Sequence, residues 1–208
     1  CDIYFYQLAS RLGVDPISRM GMNYGFGSKT GIELLNEASG LMPTEAWKQQ
    51  TFSQPWTPGE NLSTSIGQGY NLVTPLQMAN AYSALVNGGN LYQPYLISRV
   101  ELQDGKVVQQ FGPKVLRTHR ADPNFLKVIK QGLYDVANLP GGTAYGAVHM
   151  KGNLVSGKTG TVQNYTQTKE ELKRACTSHS FDKRDHGWFM GFAPSDNPEI
   201  VVAVFGMH

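Results

Sequence analysis

The ten residues Gly152-Asn153-Leu154-Val155-Ser156-Gly157-Lys158-Thr159-Gly160-Thr161 hold the densest set of groups able to do chemistry in this sequence. They permit two readings. Gly152 through Thr159 satisfies the phosphate-cradling pattern G-x-x-x-x-G-K-[ST]. That pattern works only as a loop between a buried strand and a helix, whose amides then surround phosphate. Here Gly146-Ala147-Val148-His149-Met150-Lys151 does not make a buried strand, and Thr161-Val162-Gln163-Asn164 does not start a helix. No apolar strand ending in Asp offers a second magnesium ligand, so the context speaks against a nucleotide site. In the second reading the segment is a strand whose side chains alternate between faces. Lys158 then aims its ammonium into a cleft, where it stabilises negative charge and assists proton transfer. Thr159 and Thr161 offer hydroxyls suited to a terminal carboxylate. Gly157 and Gly160 let a peptide backbone approach closely, as when a strand is added to a sheet edge. The amide of Thr161 is placed as half of an oxyanion hole, a donor typically worth about 3 kcal/mol of barrier. In this reading the tripeptide fits a Lys-Thr-Gly motif suited to acyl-transfer chemistry. Taken alone, the same tripeptide also fits an ordinary strand with a surface lysine.

The elements that must position this segment are legible from caps and periodicity. Asp2 is suited to cap a helix carrying Ile3, Tyr6, Leu8, Ala9 and Leu12 that ends near Gly13. Residues 24–32 are glycine-rich and read as a turn leading into a short strand. Residues 39–70 read as surface loops around short helices. Thr74-Pro75 opens a helix with Met78, Ala81, Tyr82 and Leu85 on one face, stopping at Gly88-Gly89. Residues 91–111 look like a strand pair turned at Asp104-Gly105. Asp122-Pro123 opens a further helix, with Leu126, Ile129, Leu133 and Val136 as the expected buried face. Strands are expected at 153–163, 187–193 and 199–206, and the polar segment 164–186 is long enough to be a lid. Helices come first and strands last, which favours a mixed α+β sheet over a βαβ array.

Composition narrows the class. With 208 residues, 40% of them hydrophobic and 16% charged, the chain has the makings of a packed globular domain. A net charge of +2 and the lack of any Lys/Arg run give no footprint for nucleic acid. No stretch approaches the ~18 apolar residues of a membrane span. The two cysteines, Cys1 and Cys176, have no CxxC spacing; a disulfide is not indicated, and the count decides no compartment.

Further short motifs run along the chain in order: Tyr24-Gly25-Phe26-Gly27, Thr30-Gly31-Ile32, Met42-Pro43, Trp47-Lys48, Gly59-Glu60, Ile66-Gly67-Gln68-Gly69, Thr74-Pro75-Leu76-Gln77-Met78, Gly142-Thr143-Ala144 and Phe192-Ala193-Pro194. Together with Gly157 to Thr161, and with Cys1-Asp2-Ile3-Tyr4-Phe5-Tyr6 as the end of a Ser-x-Asp/Asn motif, this series resembles the class B penicillin-binding proteins, and within them the cell-elongation branch. The resemblance covers nearly all 208 residues. It implies the penicillin-binding/serine β-lactamase-like transpeptidase fold, an antiparallel sheet flanked by helices, with 1–208 forming the C-terminal part of one transpeptidase domain. The family's Ser-x-x-Lys segment is expected upstream of residue 1, and its final helix beyond His208. This chain by itself is therefore not expected to react with a β-lactam.

The implied activity is D,D-transpeptidation of peptidoglycan stem peptides through a serine acyl-enzyme, with β-lactams as inhibitors and no redox cofactor or nucleotide. A β-lactamase or β-lactam sensor of the same fold, or a non-catalytic lobe, are the alternatives. Lys158, Thr159, Gly160 and Thr161 would bind the carboxylate and shape the oxyanion site, with Gly157 beside them. Asp2 would hold the acyl chain's amide. In some relatives a cysteine at the place of Cys1 helps hold a structural zinc, whose other ligands would lie outside this chain; a buried free thiol is the plainer role. The resemblance also implies a lipid II polymerase and elongation scaffold proteins as partners, alongside the upstream segment of the same protein. The implied place is the periplasmic face of the bacterial inner membrane. Arg184-Asp185-His186 could suggest a relay, but His186 has no local serine to activate, and a structural role is expected. Trp188 and Phe192 are expected to pack under helices.

Overall fold

Side-chain caps at Thr44, Thr74 and Asp122 set three of the helix starts among the described residues. The computed structural model describes residues 2–152, 154–163 and 184–207. The chain divides into two compact units, Cys1–Arg120 and Ala121–His208.

In the first unit, α1 (Asp2–Leu12) and α2 (Val14–Asn23) are separated by Gly13, whose φ of 74° suits a residue without Cβ. Asp2 is the first helical residue of α1, one position inside the cap expected of it. Next come α3 (Glu45–Phe52), α4 (Pro58–Ser65) and α5 (Pro75–Val86). The Thr74 hydroxyl accepts from the Gln77 amide at 3.1 Å, and the Gln77 side chain accepts from the Thr74 amide at 2.9 Å, closing a capping box. The buried residues of α5 are Gln77, Ala81 and Ala84, so its inner face is rotated from the expected one and carries a polar residue.

Residues 24–32 form no strand, and side chains take several of their backbone groups. The Gln77 Nε2 donates to the carbonyls of Ser28 (2.7 Å) and Ser39 (2.8 Å). The Glu37 carboxylate accepts from the amides of Thr30 (2.7 Å) and Gly31 (3.1 Å). Backbone groups that would otherwise need a ladder find side chains instead.

The expected strand pair over 91–111 is also divided differently. β1 (Asn90–Gln93) pairs with β4 (Lys114–Thr118), while β2 (Arg99–Glu101) and β3 (Val107–Gln110) make a short exposed hairpin between them. The hairpin turns where expected, the Gly105 amide donating to the Leu102 carbonyl at 2.9 Å.

The second unit holds α6 (Pro123–Asn138), α7 (Tyr145–Val148), and an antiparallel sheet of β5 (Ser156–Val162), β6 (His186–Ala193) and β7 (Ile200–Gly206), in that order. Asp122 caps α6, accepting from the Asn124 amide at 2.8 Å, with Pro123 in the first turn. The helix packs against β5, and its Asn138 donates to the Val155 carbonyl at 2.7 Å. Its deepest residues are Ala137 and Asn138, whereas Ile129 is 46% exposed and does not belong to the buried face assigned to it. All three C-terminal strands lie where the sequence places them.

Candidate active site

The Lys-Thr-Gly segment sits on β5, at an edge of the sheet. One side of β5 pairs with β6 in unbroken register, Ser156 opposite Phe192 through Val162 opposite His186. The other side pairs with no strand among the described residues. Alternation puts Ser156, Lys158 and Gly160 on one face with Phe192, Met190 and Trp188, and Gly157, Thr159 and Thr161 on the opposite face with Gly191, Phe189 and Gly187. The strand starts from a fixed base: Ser156 is buried and its hydroxyl donates to the Ser195 hydroxyl at 2.8 Å.

Gly157 has a packing reason as well as a site reason. A Cβ there would lie 2.4 Å from the Met190 carbonyl oxygen and 2.6 Å from the Phe189 ring. Gly191, opposite it, is equally closed, with the Phe189 ring 2.7 Å from where its Cβ would be. The two glycines form a slot for Phe189, and this fixes β5 on β6 just before the lysine. Trp188 packs on Phe205 at 4.7 Å between ring centroids, and Phe192 is buried.

Lys158 is exposed, and its ammonium reaches Thr159, donating to the carbonyl at 2.8 Å and approaching the hydroxyl at 3.3 Å. The Thr159 hydroxyl in turn lies 3.2 Å from that of Thr143. Thr143 comes from the turn between α6 and α7. The turn is held close to α6, since a Cβ on Gly142 would meet the Val136 carbonyl at 2.4 Å, and the Ala144 amide donates to that same carbonyl at 3.1 Å. Thr143 was visible in the sequence only as part of a Gly-Thr-Ala motif with no role attached. Nothing in the spacing from 143 to 159 announces that the two hydroxyls meet.

The arrangement gathers a cation and two hydroxyls in one place, with Gly160 and Thr161 exposed beside them. The Lys158 ammonium and the Thr159 hydroxyl suit a carboxylate: the first supplies charge and the second a directional donor. Of the residues assigned to the site from sequence, Gly157, Lys158, Thr159, Gly160 and Thr161 share β5. Asp2 lies exposed in the first turn of α1, in the other unit. Cys1 and Cys176 lie outside the described residues, as does most of the expected lid at 164–186. Among the described residues no three His, Cys, Asp or Glu side chains converge to hold a metal ion. Of the Arg184-Asp185-His186 run, Asp185 Oδ1 and His186 Nδ1 are buried without a hydrogen-bond partner among the described residues, and the His186 ring packs edge-on against Phe205.

Comparison with known proteins adds the decisive fact. The penicillin-binding protein transpeptidase domain matches residues 1–207. The chain belongs to that family. It is 38% identical over 205 residues to the peptidoglycan D,D-transpeptidase MrdA of Haemophilus influenzae, covering 98% of this chain and 31% of the relative. The chain thus spans about a third of the length of that curated relative. Among solved structures it resembles Pseudomonas aeruginosa PBP2, solved in complex with WCK 5153, with a TM-score of 0.79 and 35% identity over 99% of this chain and 42% of the other. It also resembles Helicobacter pylori PBP2 solved with MreC, with a TM-score of 0.79 and 28% identity over 100% of this chain and 34% of the other. As a transpeptidase-family fold of mixed helices and antiparallel sheet, the chain matches the class read from its motifs.

Proposed function

We propose that this chain provides the carboxylate-binding wall of a peptidoglycan D,D-transpeptidase. The observation that carries the reading is the ammonium of Lys158 beside the Thr159 hydroxyl on β5, the strand at one edge of the sheet among the described residues. A stem peptide ends in a D-Ala carboxylate. Held at Lys158, Thr159 and Thr161, it would lie along β5 as an added strand, with its penultimate carbonyl near the Thr161 amide. The nucleophile of this reading is a serine on the part of the protein that precedes residue 1. Its oxygen bonds to the penultimate D-Ala carbonyl carbon, the peptide bond to the terminal D-Ala breaks, and the serine proton passes to the leaving amine. The amine of a neighbouring stem then attacks the ester, forming the cross-link and returning a proton to the serine. The reaction uses no redox cofactor or nucleotide, and a zinc ion held in part by Cys1 would be structural.

The same reading places the protein at the periplasmic face of the inner membrane, anchored outside this chain; among the described residues no helix is long and apolar enough to cross a membrane. Its proposed partners are a lipid II polymerase and elongation scaffold proteins. The Helicobacter pylori structure containing MreC supports the latter by likeness.

The test is to incubate the intact protein with a fluorescent penicillin and follow it by intact-mass spectrometry. A long-lived adduct is expected, formed about 100-fold more slowly after Lys158→Ala. Rapid release of hydrolysed penicillin would mark a β-lactamase of the same fold instead. An adduct mapping within residues 1–208 would overturn the assignment of the nucleophile.

A further inference from the structure

Thr143 is placed by the fold next to the site and has no part in the scheme above. We infer that Thr143 is a positioning residue that sets the direction of the Thr159 hydroxyl proton, and so tunes recognition of the substrate carboxylate. The inference rests on the transpeptidase reading of β5.

The argument is a count of hydrogens. A threonine hydroxyl has one proton to donate and two lone pairs to accept with. An ammonium can only donate, so the 3.3 Å approach of Lys158 Nζ occupies one lone pair of Thr159 Oγ1. The contact between Thr143 Oγ1 and Thr159 Oγ1, at 3.2 Å, can run either way. If Thr159 donates to Thr143, its only proton is consumed, and an arriving carboxylate meets a lone pair. If Thr143 donates, both lone pairs of Thr159 are filled, and its proton must point outward to the ligand. A carboxylate selects the second arrangement, and donation from Lys158 and Thr143 polarises the outgoing O–H further.

This requires Thr143 to hold its place, and two independent restraints do that. Gly142, before it, has no room for a side chain against the Val136 and Asp135 carbonyls. Ala144, after it, is buried and its amide is bonded to the Val136 carbonyl. The Thr143 backbone is thus pinned to the end of α6, while its exposed side chain faces Thr159.

The experiment compares Thr143→Val, Thr143→Ser and Thr159→Val in the intact protein. The second-order acylation rate is measured with benzylpenicillin and with its methyl ester, which carries no carboxylate. Thr143→Val is expected to slow benzylpenicillin about 3- to 10-fold, the worth of one hydrogen bond, while leaving the ester rate and the melting temperature unchanged. Thr143→Ser should restore the benzylpenicillin rate. An equal loss for both compounds, or no rescue by serine, would show a merely structural role and overturn the inference. So would a Thr143→Val protein of wild-type behaviour when Thr159→Val slows benzylpenicillin selectively; the carboxylate reading of β5 then survives without Thr143. If Thr159→Val does not discriminate between acid and ester, that reading fails, and the inference with it.

Discussion

Single side chains in the first unit do work that would elsewhere be done by secondary structure. Gln77 is 1% exposed and closes the cap of α5 with its oxygen while its nitrogen serves two loop carbonyls, those of Ser28 and Ser39. Gln77→Glu keeps the shape but removes both donors. We expect it to cost about 3 kcal/mol, read from the urea midpoint of the intact protein, because two carbonyls lose their partner beside a new charge. A wild-type midpoint would mean that water replaces the amide at no cost. Lys48 is 3% exposed and pairs with Glu60 at 2.5 Å. Lys48→Met, of similar length, should cost about 3 kcal/mol, since it strands a partly buried carboxylate. Glu60→Gln in the Lys48→Met background should recover part of that loss, and a double variant no better than the single would contradict the pairing argument.

At the scale of elements, the candidate site depends on how β5 docks onto β6. The glycine slot at 157 and 191 admits Phe189, and the lysine follows immediately. Gly157→Ala is expected to lower stability by about 2–3 kcal/mol, as other overpacked cores do, measured as a shift in thermal unfolding. Trimming the ring with Phe189→Leu should not rescue it, because the Met190 carbonyl stands closer to the added methyl than the ring does. Full rescue would show that the ring alone sets the limit. The helices follow the same logic of local restraint. Thr74-Pro75 and Asp122-Pro123 were readable because a cap and a proline act within one turn of chain. The exposure of Ile129 was not, because an apolar position on a helix says nothing of which neighbour covers it.

For the whole molecule, pH should report the separate hydrogen-bonded carboxylates Glu37 and Glu60. Burial by itself pushes each carboxyl up, but hydrogen bonds outweigh it: Thr30 and Gly31 to Glu37, Lys48 and Thr57 to Glu60. Both are therefore held below the ordinary carboxylate value. The folded state then binds these protons less readily than the unfolded chain, so stability is fully present above the ordinary range and falls as pH drops below about 4.3. Urea unfolding at pH 7, 5 and 3.5 should show a plateau followed by a decline, with a shallower decline in Glu60→Gln. An unchanged slope in that variant would remove Glu60 from the account.

Whatever acts over short distances or recurs as a motif is legible in the order of residues. This covers the helices opened by Thr74-Pro75 and Asp122-Pro123, the Asp104-Gly105 turn, the three C-terminal strands, the family and the Lys158-Thr159-Gly160 strand. Tertiary structure alone decided which distant groups meet. β1 pairs with β4 across the intervening hairpin, Gln77 takes the carbonyls of Ser28 and Ser39, and Gly157 is closed by the Met190 carbonyl and the Phe189 ring. Thr143 reaches Thr159 by the same route. Caps and turns satisfy their hydrogen bonds within a few residues, so their chemistry is written locally. A contact between residues far apart depends on how every element between them packs, and no residue type at either end records that.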